Sequence, residues 1–343
     1  DIPVLKKLYF FMLRLRMIEQ ALADEYHPAD EIKCPVHFCI GQESIPAALS
    51  EVIKKNDQLF CHHRSHGYFL AKKAPSKFMF AELYGKIDGS NRGFAGSQDI
   101  SFSKENFYAG AILAGSIGIA VGNSLAQKIN GSSNIVFACF GESATDQGIF
   151  WESVNYSALN KLPIVFICEN NNYSVFSPQR KRQSGQSISE KAKDFGVNSV
   201  QINGNDTFYA YKTLNKVTDN IRKHNKPFLI EAFTSRWSSH YGPEDDSNIG
   251  YRDKNDLNFW RKNCPLKNIE KLSICEIKLI EEIKSLQQNN IKVIKEESSS
   301  EDIQNKFKDF NFALFLQKWS NSFVIYLLIL ISLASLTKQA WAL

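Results

Sequence analysis

The sequence has no CxxC pair and no block of like charge, and each absence removes a class of function. Its seven cysteines are Cys34, Cys39, Cys61, Cys139, Cys168, Cys264 and Cys275. An odd number without close pairs suits neither a disulfide framework nor a cysteine-held metal, so zinc is not expected. A reducing, cytoplasmic setting fits best. Lysine and arginine total 41 against 36 acidic residues, and the resulting +5 is spread along the chain. Nucleic acid is therefore not an expected partner, while a mild affinity for anionic ligands is. No internal repeat and no signal peptide are visible. The chain opens on Asp1 rather than Met, so an incomplete amino terminus is expected.

What is present is a chain long enough for one large domain or two modest ones, with 43% hydrophobic residues to fill a core. Residues 2–26 carry Leu5, Leu8, Met12, Leu15 and Ile18 at helical spacing, which predicts one amphipathic helix. A GQES turn follows at Gly41, then a helix over 44–54. HHRSHGYFLAKK opens a helix or loop–helix unit. Residues 86–105, rich in Gly, Ser and Asn, predict a loop. Residues 109–129 predict a helix in which Gly115, Gly118 and Gly122 allow close packing. The segment NIVFACF (134–140) is apolar throughout, as a strand buried on both faces must be. A GESATDQG turn, a helix over 149–160, and a second buried strand, LPIVFICE, come next. VNSVQING and KPFLIEAF repeat the strand pattern around a helix over 208–224. Strand, loop, helix, strand in that order is the mark of parallel pairing. The expected fold class is α/β, a doubly wound, mostly parallel sheet with helices on both faces. Residues 254–293 read as charged helix.

The chemistry concentrates at two strand ends. Glu142 stands at the end of the first buried strand, over the carboxyl edge where open α/β sheets bind ligands. The amides of Ser143 and Ala144 open the next helix, and a helix start suits a phosphate. A carboxylate beside a phosphate repels it unless a divalent cation lies between them. Mg2+ is commonly held by one or two carboxylates plus substrate phosphates. Asn171 lies 29 residues after Glu142, in the Asn-rich turn that ends the next strand. Glu142, the Asn171 side-chain oxygen and the main-chain carbonyl of Tyr173 thus make a candidate cation site holding a diphosphate. The bland alternative is an ordinary polar turn, and Asn-rich turns are common.

At this point the sequence resembles a known family: the alpha subunit of the first component of 2-oxo acid dehydrogenase complexes, of pyruvate, branched-chain and acetoin types. The segment FGESATDQGIFWESVNYSALNKLPIVFICENNNYSV is similar to its thiamine-diphosphate motif. The resemblance runs from about residue 5 to residue 262 and takes in GQES, HHRSHGYFLAK, GFAGSQD, NFYAGAILAGSIGIAVGNSLA, VQINGNDTFYAY and KPFLIEAFTSRWSSHYGPEDDSNIGYRD. It implies the thiamine-diphosphate-binding fold, with thiamine diphosphate and Mg2+ as cofactors. By the match, Glu142, Asn171 and Tyr173 would hold the metal, and Ser143 and Ala144 would lend amides to the diphosphate. Arg64 falls where the family sets an arginine on the diphosphate, a fitting use for its charged donor fork. His63 stands where tyrosine is common. The stretch containing Ile112 and Ala114 matches backbone that lines the aminopyrimidine ring. His66 and His240 match histidines that sit over the cofactor and help acyl transfer, the alternative being that each merely orders its loop. His27 and His224 read as surface residues; His37 and His62 stay undecided.

The resemblance also implies decarboxylation of a 2-oxo acid, pyruvate first, with the acyl unit passing to a lipoyl group on a partner acyltransferase. The glutamate that faces the aminopyrimidine comes from a beta subunit in two-chain members. A working unit of two alpha and two beta chains is therefore expected, with this chain inactive alone. Ser143 replaces a usual glycine, Ser97-Gln98-Asp99 replaces Ser-Met-His, and Ile117 replaces a glutamine. These departures leave open another two-chain thiamine-diphosphate enzyme, split transketolase-like or acetoin-cleaving, and a non-catalytic paralogue.

The expected organisation is a dehydrogenase alpha-subunit domain over 1–293, a polar linker and short helix over 294–318, and an apolar tail over 319–343. The tail includes FVIYLLILISLASL, about the length of a short membrane span. It reads as a tail anchor in contact with a membrane, a frameshifted or read-through end, or a helix packed on a partner.

Overall fold

The computed structural model describes residues 2–27, 32, 34–185 and 187–272. The chain divides into two units, Asp1–Glu301 and Asp302–Leu343, and everything below belongs to the first. The expected linker and apolar tail, and the helical text beyond residue 272, lie outside the described residues. Among the described residues no helix is long and apolar enough to cross a membrane.

In chain order the elements are α1 (Ile2–Glu25), α2 (Ser44–Ser50), β1 (Gln58–Cys61), α3 (His66–Ala71), α4 (Ser76–Leu83), β2 (Phe107–Ala109), α5 (Gly115–Ile129), β3 (Val136–Gly141), α6 (Gly148–Leu159), β4 (Ile164–Asn170), β5 (Tyr173–Ser174), β6 (Ser177–Pro178), α7 (Ile188–Asp194), β7 (Asn198–Asn203), α8 (Thr207–His224), β8 (Phe228–Phe233), α9 (Lys254–Lys262) and α10 (Pro265–Leu272). Six strands form one sheet in the order β2-β1-β3-β4-β8-β7, every pair parallel. β5 and β6 make a small antiparallel hairpin just past β4.

The apolar runs alternate between the sheet's two faces, as strand geometry requires. Phe137, Cys139, Val165, Ile167 and Ile230 join one core with residues of α1, α2, α3, α4 and α8. Val136, Ala138, Phe140, Ile164, Phe166 and Leu229 join another with residues of α5, α6 and α7. Helices therefore cover both faces, as the uninterrupted hydrophobicity of β3 and β4 predicts. A third core packs α1 against α10 through Leu8, Met12, Leu266 and Ile269.

Three expectations need correction. The helix predicted over 109–129 starts only at Gly115, because Phe107–Ala109 pairs with β1 as an edge strand. Ala114 caps that helix in the left-handed region, φ 61°. The helix predicted over 44–54 stops at Ser50. Gly122 meets open space rather than a packed neighbour, so it serves no close packing among the described residues. Gly41 does need to be glycine: its φ is 93°, and an added Cβ would lie 2.4 Å from Cδ1 of Trp237.

Candidate functional site

The register of β3 and β4 builds the site. Gly141 pairs with Glu169 across the two parallel strands. The next residues in each chain, Glu142 and Asn170-Asn171, therefore leave the sheet side by side at its carboxyl edge. A cavity of about 240 Å³ opens there, lined by Glu142, Ser143, Asn171, Tyr173 and, from the other side, His63, Arg64 and His240. Seven of the positions predicted from sequence thus line one cavity. Ala114 and Val175 flank the region with left-handed φ values of 61° and 52°. Val175 lines the cavity, and such backbone in a β-branched residue gathers at functional sites.

At the carboxyl edge, Glu142 is 1% exposed. Burial pushes its carboxyl up, while the Arg182 guanidinium and the Ser143 amide oppose that shift. Arg182 contacts Glu142 Oε1 and also pairs with Asp146. Asn171 Oδ1 accepts a hydrogen bond from the Tyr173 amide at 3.1 Å, which fixes the turn. A short 3-10 helix, Glu142–Asp146, carries Ser143 and Ala144 ahead of α6. Ala144 is buried in the second core, so only its backbone is free to serve a ligand.

Arg64 is buried and donates to Phe38 O at 2.6 Å and to His240 O at 3.1 Å. Burial, with Arg236 next, pulls its guanidinium down to about 10, so it is charged at neutral pH. Burial and the same cation keep the neighbouring rings neutral. His37 is lowered to about 2, His240 to about 4 by burial, Arg64 and Arg236, and His63 lies well below the usual imidazole range. The loop carrying His240 is held by Asp246, which bridges Arg236 and Arg252 at 2.8 Å each. Tyr251 also donates to Asp246.

His66 departs from expectation. It is 0% exposed and does not line the cavity. Its Nδ1 bonds Glu19 Oε1 at 2.6 Å and its Nε2 bonds Ser97 Oγ at 2.9 Å. Both ring nitrogens are engaged, and the ring ties α1 to the glycine-rich loop. The Ile112 side chain is 78% exposed and turns away, while Ala111 and Leu113 line the cavity. Sequence reasoning missed several residues here. Glu169 is buried and lines the cavity, with its Oε1 lacking a hydrogen-bond partner. It reads in sequence as a plain strand end, although a carboxylate closing an apolar strand was a signal. His37 and His62 also line the cavity. No sequence signal marks Arg182 as the partner of Glu142.

The donor set fits a metal-bridged polyanion: a buried carboxylate and an amide oxygen for a hard cation, with a fixed guanidinium and helix-start amides for phosphate. Fold and site thus define the class, a parallel α/β subunit with a polar, arginine-bearing cavity at the carboxyl edge of its sheet. The Dehydrogenase E1 component family matches residues 11–307. The chain is 30% identical over 288 residues to the pyruvate dehydrogenase E1 component subunit alpha of Rickettsia bellii, covering 83% of this chain and 87% of that one. The mitochondrial counterpart of Dictyostelium discoideum is 31% identical over 263 residues, 76% and 68% of the two chains. That of Porphyra purpurea is 30% identical over 272 residues, 77% and 78%. The chain belongs to the dehydrogenase E1 component family, as an alpha subunit of the thiamine-diphosphate-dependent 2-oxo acid dehydrogenases.

Proposed function

We propose that this subunit binds the Mg2+-diphosphate end of thiamine diphosphate for oxidative decarboxylation of pyruvate, with acyl transfer to lipoamide. The observation that carries the reading is the shared cavity wall of Glu142 and Asn171, set side by side by the β3–β4 register. In it, Glu142, the Asn171 side-chain oxygen and the Tyr173 carbonyl hold Mg2+. Glu142 must then share its carboxylate with Arg182, which occupies Oε1. Arg64 and the amides of Ser143 and Ala144 hold the diphosphate. Backbone of the segment holding Ile112 and Ala114 borders the ring, with Ala111 and Leu113 closest to the cavity.

When bound, the cofactor supplies the carbon nucleophile and electron sink that decarboxylation needs. This chain's own part is to bind, orient and move protons. His240 is neutral at pH 7, so a ring nitrogen is open to accept a hydrogen bond from the reacting groups. His63, beside it, borders the same space. His66 acts through Ser97 by fixing the glycine-rich loop.

The second half of the site belongs to a beta subunit, in an assembly of two alpha and two beta chains. A lipoyl-bearing acyltransferase takes the acyl group. The six described cysteines are all free, which supports a reducing, cytoplasmic location. The test is an assay of the purified chain with pyruvate, thiamine diphosphate, Mg2+ and a lipoyl acceptor. Turnover should be negligible alone and restored by the beta chain. Robust oxidative decarboxylation without a partner refutes the reading.

A further inference from the structure

A second cavity, of about 490 Å³, lies between α1 and the link from α3 to α4. It shares no lining residue with the cofactor cavity. Its size falls within the range of pockets that hold small molecules. Phe10 and Leu70 give it apolar walls, and Phe10 is 39% exposed. Lys6, Lys7, Arg14 and Lys73 set four cations against one acid, Glu51. Lys7 takes that acid at 3.4 Å, and no other cation of the cavity has an acidic partner among the described residues.

Arg14 sets the cavity apart. Among the described residues, the buried or half-buried Arg16, Arg182, Arg222, Arg236, Arg252 and Arg261 each pair with a carboxylate. Two arginines of that kind do not. One is Arg64, where the proposed diphosphate supplies the missing charge. The other is Arg14, whose Nη2 donates to Ser76 Oγ at 3.2 Å, a neutral partner. Burial pulls its guanidinium down, and no carboxylate acts on it. Withdrawing a cation from water without a counter-ion is costly, so Arg14 is suited to an anion that the chain itself does not provide.

Lys73 is an independent sign. It follows α3 in the left-handed region, φ 61°. Its amide donates to Leu70 O at 2.9 Å and that of Ala74 to Phe69 O at 3.3 Å, a helix-closing pattern in which glycine is the usual residue. A side chain is kept there at a conformational cost. That side chain is a cation lining both this cavity and a neighbouring one of about 260 Å³ that carries Lys54 and Lys55.

The donors define the ligand. A guanidinium fork beside a hydroxyl matches phosphate or carboxylate oxygens. Three cations without acids exceed one carboxylate and suit a phosphomonoester, which carries about −1.5 to −2 charge at neutral pH. The apolar walls suit an apolar body. We infer that this cleft is a second ligand site that takes a phosphomonoester with an apolar body, its phosphate on Arg14, Lys6 and Lys73 and its apolar part against Phe10 and Leu70. A soluble phosphorylated metabolite and a phosphate-headed lipid share that chemistry. The site uses none of the residues assigned to thiamine diphosphate, so either reading can fail without the other.

The full chain is titrated with hexyl phosphate by calorimetry, with inorganic phosphate and hexanol as partial ligands. One hexyl phosphate per chain should bind, at least about tenfold tighter than either part. Excess thiamine diphosphate with Mg2+ should not displace it. Arg14→Gln should weaken binding at least about tenfold. Phe10→Ser should weaken hexyl phosphate but not inorganic phosphate. Lys73→Gly should weaken binding severalfold while raising the melting temperature, because glycine suits that turn. This exposed position keeps the test decisive if Arg14→Gln does not fold. Flotation with phosphatidylcholine vesicles, with and without phosphatidic acid, separates the sources. Capture that needs phosphatidic acid and is lost in Lys73→Gly assigns the site to a lipid; hexyl phosphate binding without such capture assigns it to a soluble ligand. Failure of both, displacement by thiamine diphosphate, inorganic phosphate binding as tightly as hexyl phosphate, or binding unchanged in the Arg14→Gln/Lys73→Gly double variant overturns the inference.

Discussion

Glu142 and Asn171 stand on adjacent strand tips whose register is set by backbone hydrogen bonds, whereas His37, His63 and His240, lining the same cavity, come from three loops held by side chains. The first end is fixed by the sheet itself. The second depends on Arg64 donating to Phe38 O and His240 O and on Asp246 bridging Arg236 and Arg252. A cofactor's charged end needs a rigid, prepaid cradle. The groups that move protons or exchange ligands need not be so rigid, and loops are where such groups are commonly carried.

The contrast predicts how each end breaks. The largest effect falls on the sheet end. Glu142→Ala should remove activity by more than about 1,000-fold, beyond the 10–100-fold typical of outer metal partners, with the melting temperature little changed. A steady-state assay beside a thermal melt reads both.

At the loop end the order reverses, and stability suffers first. Asp246 is 0% exposed and pairs with two buried arginines, one through each carboxylate oxygen. Asp246→Ala should cost about 3–5 kcal/mol, the usual result of stripping one partner from a buried ion cluster. Chemical denaturation measures it, and a loss under 1 kcal/mol would show the loop to be held by something else.

A smaller effect separates positioning from catalysis. His66→Gln should lower kcat severalfold through loss of the Glu19–His66–Ser97 chain, without moving the pH profile. A shifted acidic limb would instead give His66 a proton-moving role.

The last effect is the pH dependence of stability. His37, His63 and His240 are all depressed in the folded chain, below the ordinary value of about 6.5. Below that pH the unfolded chain binds more protons than the folded one, so stability falls as pH drops from about 6.5 toward 4. Denaturation midpoints at several pH values should show this slope, and His63→Tyr should flatten it.

The same contrast explains what could be read from sequence. β3, α6, β4 and the turn after each strand are local, periodic and buried on both faces, so composition alone outlines them. Glu142 and Asn171 follow from those strands by register. The loop end is not local. Nothing in the text places His37 and His63 against His240, which lies 203 and 177 positions further along the chain. β1 and β2 are short, at four and three residues, and offer too little periodicity to stand out. His66 lies two residues from Arg64 yet is not among the residues lining the cavity: it opens α3, and its ring is taken up by Glu19 and Ser97. Arg182, just after the β5–β6 hairpin, reaches Glu142, 40 positions away in the sequence, while its Nε donates to Ser177 O at 3.3 Å.

The most direct test is a double-mutant cycle on Glu142→Gln and Asn171→Ala, read as Mg2+-dependent thiamine diphosphate binding by calorimetry in the complex with the beta chain. If the two side chains grip one metal, each single variant loses at least about 100-fold in affinity and the double variant is little worse than either. Unchanged binding in Glu142→Gln, or losses that simply add, would contradict a shared metal at these strand tips.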